Sequence, residues 1–429
     1  MMFVLTAFAC IPAQNPPPPP PAEPPFKTLA WQVTVGGQIR LRAEYRDPFS
    51  YNPAVAGAAD DDDLYLSRVR INLRFALSDE IEIFFQPQDQ RVFGDEASVL
   101  SDEQNLDVHQ GYVDVRLPLD VPVTLRAGRQ ELSYGDQRLV SPLDWSNIAR
   151  AWDGVKVRAS WGSAWLEAFW TVIREGVGAE DDQDFYGLYA SWAVVADHEF
   201  DLYVFGRRLN DNSQPAESVP GNAQDRRDAT AGARLKGKAA GFDYTGEGMI
   251  QRGDVGPDDV RAWAAAVTLG YTFDLPWKPR IGAEYTHASG DSDPADGRIE
   301  TFDPLYPFGH YYQGFADVFS FRNGRDAALT LKVAPAESLS VHVDVHFFRL
   351  DEARDAWYNF AGGPLRRDPT GSAGKDVGRE IDLHARWSVG KFVKFWGGVS
   401  RFFAGEFVRD TPGTDRDMTW AFLQMTVEF

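Results

Sequence analysis

The feature that most constrains this chain is a strict alternation over its last ten residues, Trp420 to Phe429. Ala421, Leu423, Met425, Val427 and Phe429 fall on one side, and Phe422, Gln424, Thr426 and Glu428 on the other. A period of two belongs to a β-strand, whose successive side chains point to opposite faces, and here the two faces meet different surroundings. The pattern recurs from Val33 onward. In the first segment Val35, Ile39, Leu41 and Tyr45 oppose Gln38, Arg40, Arg42 and Glu44; in the second Val69, Ile71, Leu73 and Phe75 oppose Arg68, Arg70, Asn72 and Arg74. Further segments lie near 80–92, 106–117, 123–131, 152–160, 164–174, 184–193, 198–208, 228–239, 242–252 and 259–273. The rest lie near 278–290, 323–335, 339–350, 376–389, 391–403 and 418–429, about eighteen in all. Such a set fits either a soluble β-sandwich or a barrel that meets lipid outside and water inside.

The connections separate these two. Short links (Ser78-Asp79, Ala239-Ala240-Gly241, Pro335-Ala336-Glu337, Ser388 to Lys391) alternate with long ones. The long ones are Asp47 to Asp63, Leu132 to Ala151, Leu209 to Arg227, Asp291 to Arg322 and Asp351 to Lys375. Transmembrane barrels keep short turns at the periplasmic end and longer loops at the outer end. A sandwich has no reason to maintain this parity. The reading is an all-β fold: a transmembrane antiparallel up-and-down β-barrel over 33–429. An even strand number places both termini on the short-turn, periplasmic side.

Composition agrees. Mean hydropathy is -0.35, and the longest mostly apolar run, Trp263 to Phe273, is too short for a spanning helix of roughly 20 residues. Barrel strands need only alternate apolar residues, so this does not exclude a membrane. A formal charge of -20 argues against a nucleic-acid partner. The acids cluster in turn-like segments such as Asp60 to Asp63, Asp181-Asp182 and Asp351-Glu352. Cys10 is the only cysteine, which excludes an internal disulfide and a cysteine-based metal cluster. Residues 1–13 read as a signal-like segment with Ala7-Phe8-Ala9 before Cys10, although a basic start is missing. Residues 14–32 read as a Pro-rich periplasmic leader, since proline cannot pair in a sheet.

The faces can then be assigned. An arginine or lysine facing lipid at mid-membrane costs roughly 2–4 kcal/mol, so the polar faces must line the lumen. Arg40, Arg42, Arg68, Arg70, Arg74, Arg126, Lys156 and Arg158 fall there. Later strands are more mixed, with Arg234 and Lys236 but also Glu284, Asp344, Glu380 and Asp382. The expectation is a basic inner wall in an acidic protein.

One stretch carries a motif. Gly128-Arg129-Gln130-Glu131, Tyr134 to Val140 (with Gly135 and Asp136), Asp144-Trp145-Ser146-Asn147, Arg150 and Asp153-Gly154-Val155 follow one another. This resembles the alginate-export family of outer-membrane porins. Trp152 stands where the family usually has Phe, and Lys156 where it has Arg. Phe302 to His310 and Gly314 to Asp317 resemble the family's long late loop, and the terminal strand ending on Phe429 resembles the closing strand of bacterial outer-membrane barrels. The resemblance implies an eighteen-stranded monomer, set in outer-membrane lipid and lipopolysaccharide, that exports an anionic, alginate-like polysaccharide with periplasmic secretion components as possible partners and no cofactor. The other channel reading is a general porin, or one for small anions or sugars. Gly135-Asp136 and Pro142 break strand pairing, which suggests a loop folded at the pore mouth. There Arg129, Arg138 and Arg150 could meet substrate carboxylates bidentately. The plainer alternative is an Arg–Asp lattice, with Asp136, Asp144 and Asp153, that pins the loop to the wall.

Other chemistry is weaker. His342, Asp344 and His346 share a face with His384 and Asp382 nearby, a set that zinc could use, but any lumen wall supplies alternate polar residues. No Ser-His-Asp arrangement or phosphate-binding loop stands out. The expectation is no metal, no catalytic residue and no enzyme activity.

Overall fold

In the computed structural model, residues 32–429 are described except 56, 94–105, 175–182 and 220. The signal-like segment, Cys10, nearly all of the leader and Asp181-Asp182 lie outside the described residues. The chain begins with β1 (Gln32–Asp47), β2 (Asp62–Ala76), β3 (Ile81–Val92), β4 (Leu106–Leu117) and β5 (Val123–Gln130). After a long loop come β6 (Trp152–Trp161), β7 (Ala164–Arg174), β8 (Gln183–Val195), β9 (His198–Pro215) and β10 (Ala223–Ala239). Then follow β11 (Phe242–Val255), β12 (Asp258–Thr272), β13 (Arg280–Ala288) and the two-residue β14 (Arg298–Ile299). The remainder is α1 (Gly309–Tyr312), β15 (Gly324–Ala336), β16 (Leu339–Leu350), the loop hairpin β17 (Ala356–Tyr358) and β18 (Pro364–Arg367), and β19 (Asp376–Val389). Last are β20 (Val393–Ala404), α2 (Glu406–Arg409) and β21 (Met418–Glu428).

Setting aside β14, β17 and β18, which belong to loops, eighteen strands pair antiparallel with their neighbours. The sheet closes on itself where β1 meets β21, with Ile39 opposite Val427 and Arg42 opposite Gln424. Closure leaves no unpaired edge, the condition for a sheet to cross hydrocarbon. The seam is extended by Phe429, whose backbone exchanges hydrogen bonds of 2.8 and 3.1 Å with Gly37. The Phe429 ring covers Gly37 so closely that a Cβ there would lie 2.6 Å from ring carbon Cζ. Glycine is what lets the aromatic lie flat on the neighbouring strand.

The expected alternation sets the two faces. Ile39, Leu41, Ile83, Phe85, Leu188, Leu329, Leu383 and Leu423 point outward and are exposed. Arg40, Arg42, Arg68 and Arg70 point inward and are buried. The loop parity also holds, with one variation. β11 and β12 run on past the wall and meet in a two-residue turn at Gly256-Pro257, at the long-loop end.

The lumen departs from a simple polar wall. Two loops fold into it, the motif loop 131–151 between β5 and β6 and the late loop 289–323 between β13 and β15. They pair with each other: the Ser141 and Tyr306 amides donate to the Tyr306 and Leu139 carbonyls at 2.9 and 2.8 Å, and the Phe308 amide donates to the Gln137 carbonyl at 2.9 Å. Their apolar residues need cover, and β7–β9 provide it with inward Phe169, Phe185, Tyr189, Tyr203 and Phe205, packed on Leu132, Tyr134, Leu139 and Val140. A second aromatic cluster joins Trp145, Phe315 and Phe319 to Phe348, Phe402, Trp420 and Phe422 on β16, β20 and β21. The barrel therefore has an interior core as well as a lipid belt.

Adjacent residues of β16 test the face assignment. Val343 points out and His342 points in, beside His384. Val343→Arg should lower folding yield into bilayers, by the roughly 2–4 kcal/mol that a mid-belt cation costs, while His342→Arg folds like the parent. Equal yields would overturn the assignment.

Candidate functional site

The motif loop is held by the wall arginines. Arg40 donates to the Asp144 and Ser146 carbonyls at 2.6 and 2.9 Å and to Asn147 Oδ1 at 3.3 Å. Arg42 donates to the Trp145 carbonyl at 2.6 Å and its guanidinium lies 3.9 Å from the Trp145 ring centroid. Arg68 and Arg70 both donate to Asp144 Oδ1, at 2.7 and 2.9 Å. On the far side of the tryptophan, His310 of the late loop stacks at 4.0 Å, nearly parallel, and is itself fixed by Asp317 at 2.9 Å. The cluster clamps the motif loop between wall and late loop.

Alternation explains why these side chains converge. Arg40 and Arg42 are two apart on β1, Arg68 and Arg70 two apart on β2, and the register places Arg40 opposite Arg68. Four guanidiniums on adjacent inward positions repel one another, and Asp144 with the loop carbonyls, together with Glu44 beside Arg42 at 2.7 Å, makes the grouping tolerable. Burial disfavours the Asp144 charge, but Arg68, Arg70 and Arg40 outweigh it and hold the carboxyl below the usual carboxylate range.

The other expected residues divide by location. Arg74 pairs with Glu82, Arg126 bidentately with Asp114 at 2.6 and 2.7 Å, and Arg158 with Glu167 at 2.8 Å. Lys156 lies 3.8 Å from the same Glu167. Arg138, in the motif loop, meets Glu284 at 3.0 Å and the Tyr312 ring at 3.9 Å. Arg150 donates to the Pro307 carbonyl at 3.0 Å, and burial pushes it down to about 10, still charged at neutral pH. Arg129 is a correction. It shares the outward face with Leu125 and Ala127 and pairs there with Asp153 at 2.8 Å, so it does not line the pore.

Among the other motif residues, Gly128 sits opposite Gly154 across β5 and β6, and Gln130 is buried against their carbonyls. Glu131 holds His109 at 2.8 Å, Tyr134 donates to Glu167 at 2.6 Å, and Asn147 donates to the Ser67 carbonyl at 3.0 Å. Asp136 is gripped by Arg234 and Lys236 at 3.0 and 2.6 Å. Gly135 makes that grip possible: its φ is +55°, and a Cβ would press on Arg234 Nε at 3.2 Å.

Two cavities open at the short-turn side of the clamp. One, about 620 Å³, is lined by Gln38, Arg40, Trp145, Tyr311, Arg386, Lys394, Trp396 and Gln424. The other, about 340 Å³, is lined by Lys236, Arg280, Lys332, His342, Asp344 and His384. Asp136, Tyr311 and Tyr312 border both. Arg386 and Lys332 have no carboxylate within ion-pair distance among the described residues, unlike Arg280, which pairs with Asp243 at 2.6 Å. The sequence reading did not single them out, yet alternation places Lys332 on the face of Thr330 and Asp326, and Arg386 on that of His384 and Asp382. His342 and His384 stack at 4.5 Å, and His346 meets Asp326 at 2.7 Å. Among the described residues no three such side chains come together as a metal site.

The alginate export family model matches residues 31–422. No curated protein sequence matches. Among solved structures, Pseudomonas aeruginosa OccK11 (OpdR) aligns with a TM-score of 0.59 at 12% identity, covering 92% of this chain and 96% of that one. OccD3 (OpdP) of the same organism gives 0.60 at 11%, covering 92% and 91%. The outer membrane protein OprD from Pseudomonas aeruginosa gives 0.56 at 15%, covering 92% and 93%. At these identities the likeness shows the fold, a closed eighteen-stranded barrel.

The clamp has a pH signature. Because the Asp144 carboxyl is lowered in the folded protein, its hold is complete above the ordinary carboxylate value of about 3.9 and is lost only as pH falls through the lower folded value. Single-channel current should be steady from about pH 7 to 5. Asp144→Asn should show, at neutral pH, the larger and noisier current of a released loop. A parent-like trace from that variant would exclude the clamp.

Proposed function

Since the chain belongs to the alginate export family and folds as an outer-membrane porin barrel, we propose that it exports an anionic, alginate-like polysaccharide. In this reading the long loops face outward and both termini are periplasmic, so the polymer enters by the short-turn cavities. The observation that carries it is the residual charge there. Most inward cations are matched by a carboxylate, and Arg386 and Lys332 are not, so an entering uronate chain meets unneutralised cations beside Trp396, Tyr311 and Tyr312. Within a low-dielectric wall such charges act more strongly than on an open surface. The clamp arginines contribute by fixing the loop that borders the passage, and Arg126, Lys156, Arg158 and Arg150 by lining or supporting its wall. Lipopolysaccharide surrounds the outer rim, the channel acts as a monomer, and periplasmic secretion components deliver the polymer. The second reading, a diffusion porin for small anions or sugars, is favoured by the fold shared with OprD and the Occ proteins.

The two readings differ in measurable block. Oligomeric uronates should block ionic current through the parent more than neutral oligosaccharides of equal length. Arg386→Ser with Lys332→Ser should remove most of that difference, by roughly tenfold for about 1.4 kcal/mol of lost attraction. A cation-selective reversal potential, or equal block by charged and neutral sugars, leaves the diffusion porin. Orientation is read separately: Asp60→Cys, in the first long loop, should react with an impermeant maleimide on intact cells.

A further inference from the structure

Above the apolar belt the outward face changes character on one arc of the barrel. Phe347, Ile381, Leu383 and Val399 of β16, β19 and β20 are exposed to the surroundings. Arginine follows them towards the long-loop end: Arg325 on β15 opposite Arg349 on β16, Arg379 on β19 opposite Phe347, and Arg401 on β20 opposite Ile381. Four consecutive barrel strands thus present an outward arginine where the apolar side chains end. Arg379 and Arg401 lie over the Phe403 ring at 5.3 and 5.9 Å, which holds both heads near one spot. Beside Arg379 is a groove of about 730 Å³ lined by Arg349, Arg379, Phe403, Lys375 and, from α2, Arg409. Asp376 and Glu406 also border it.

What this arc adds to its outward cations is the groove they line. Arg208, Arg227 and Arg252 on β9 to β11 also face outward with no carboxylate within ion-pair distance among the described residues. Other outward arginines are neutralised by neighbours on the same face, Arg129 by Asp153 at 2.8 Å, Arg261 by Asp259 at 2.8 Å and Arg91 by Asp89 at 3.0 Å. Arg325 and Arg401 likewise have Asp351 and Asp417. Arg349, Arg379 and Arg409 have no carboxylate within ion-pair distance among the described residues, although the chain as a whole carries a charge of -20. A guanidinium is suited to phosphate, which it meets bidentately. Its aliphatic stem can lie along apolar surface while its head stays at the polar boundary.

We propose that this groove is a binding site for a phosphorylated glycolipid of the outer leaflet. Its phosphomonoesters would sit against Arg349, Arg379 and Arg409, and its acyl chains would run down the belt over Phe347, Ile381 and Leu383. Each phosphomonoester brings about -1.5 to -2 charges, which answers the three unmatched cations. The groove is separate from the lumen. The proposal rests on the long-loop end facing the outer leaflet, and the surface-labelling experiment checks that orientation independently.

The test is native mass spectrometry of the full chain in detergent, titrated with bisphosphorylated hexa-acyl lipid A. The parent should retain the lipid, and Arg349→Gln, Arg379→Gln and Arg409→Gln combined should weaken retention at least tenfold. Arg129→Gln, whose outward guanidinium is matched by Asp153 and Asp107 at 2.8 and 3.8 Å, should bind as the parent does. Channel current and uronate block should be unchanged in the triple variant, which shows that the barrel is folded. Equal retention by parent and triple variant overturns the site. So does equal binding of dephosphorylated lipid A or phosphatidylglycerol. Competition by inorganic phosphate at the lipid's own concentration would show a free-anion site and overturn the lipid assignment.

Discussion

The interior of this barrel depends on burying four guanidiniums beside one another. Arg40, Arg42, Arg68 and Arg70 sit on adjacent inward positions of β1 and β2, where mutual repulsion and desolvation both oppose them. Taking a single charge out of water costs several kcal/mol unless it is hydrogen-bonded and paired. The motif loop removes that cost by aiming the carbonyls of Asp144, Trp145 and Ser146 and the Asp144 carboxylate at the group. The dependence runs both ways. Without the arginines the Asp144 to Ser146 backbone would lose its hydrogen bonds to the β1 and β2 wall, and without the loop the arginines would be exposed and repelling. The late loop then stands on this pair through His310 on Trp145.

How much of this was legible follows from where each constraint acts. The wall strands were readable because lipid on one side and water or polar loop on the other impose a period of two over most segments. The small elements β14, β17, β18, α1 and α2 were not, since they lie in loops whose backbone is set by distant contacts. Turn residues Gly135 and Pro142 mark the motif loop as irregular, but nothing local reveals that Val140 pairs with Tyr306. On β7–β9 the inward positions carry Phe169, Phe185, Tyr189 and Phe205, so both faces are apolar and alternation fades. That fading is itself a signal: a barrel strand with two apolar faces has something apolar inside it.

Arg129 shows the limit of reading a residue by its motif. Its neighbours Leu125 and Ala127 share its face, so the parity of β5 already places it outside. Its position within the motif suggested a pore contact instead, and Asp153 opposite it on β6 supplies the actual partner. Lys332 and Arg386 show the reverse case. Parity alone places both inward, but inward facing does not say which cations will be neutralised. That depends on cross-strand carboxylates such as Asp114 for Arg126 and Asp243 for Arg280.

The same distinction governs what charge means in this molecule. A count of basic residues on inward faces overstates the field, because Arg126, Arg158, Arg207 and Arg234 each face a carboxylate at about 3 Å or less. Such pairs fix geometry and contribute little at a distance, as their fields cancel beyond a few ångströms. The field that a solute senses comes from the remainder, and in the lumen that remainder includes Arg386 and Lys332 at the short-turn end. On the outside it includes Arg349, Arg379 and Arg409 at the long-loop end. A chain of strongly negative total charge can therefore present cationic sites at both ends of one wall. They are separated by the apolar belt and by the loops that the buried arginines hold in place.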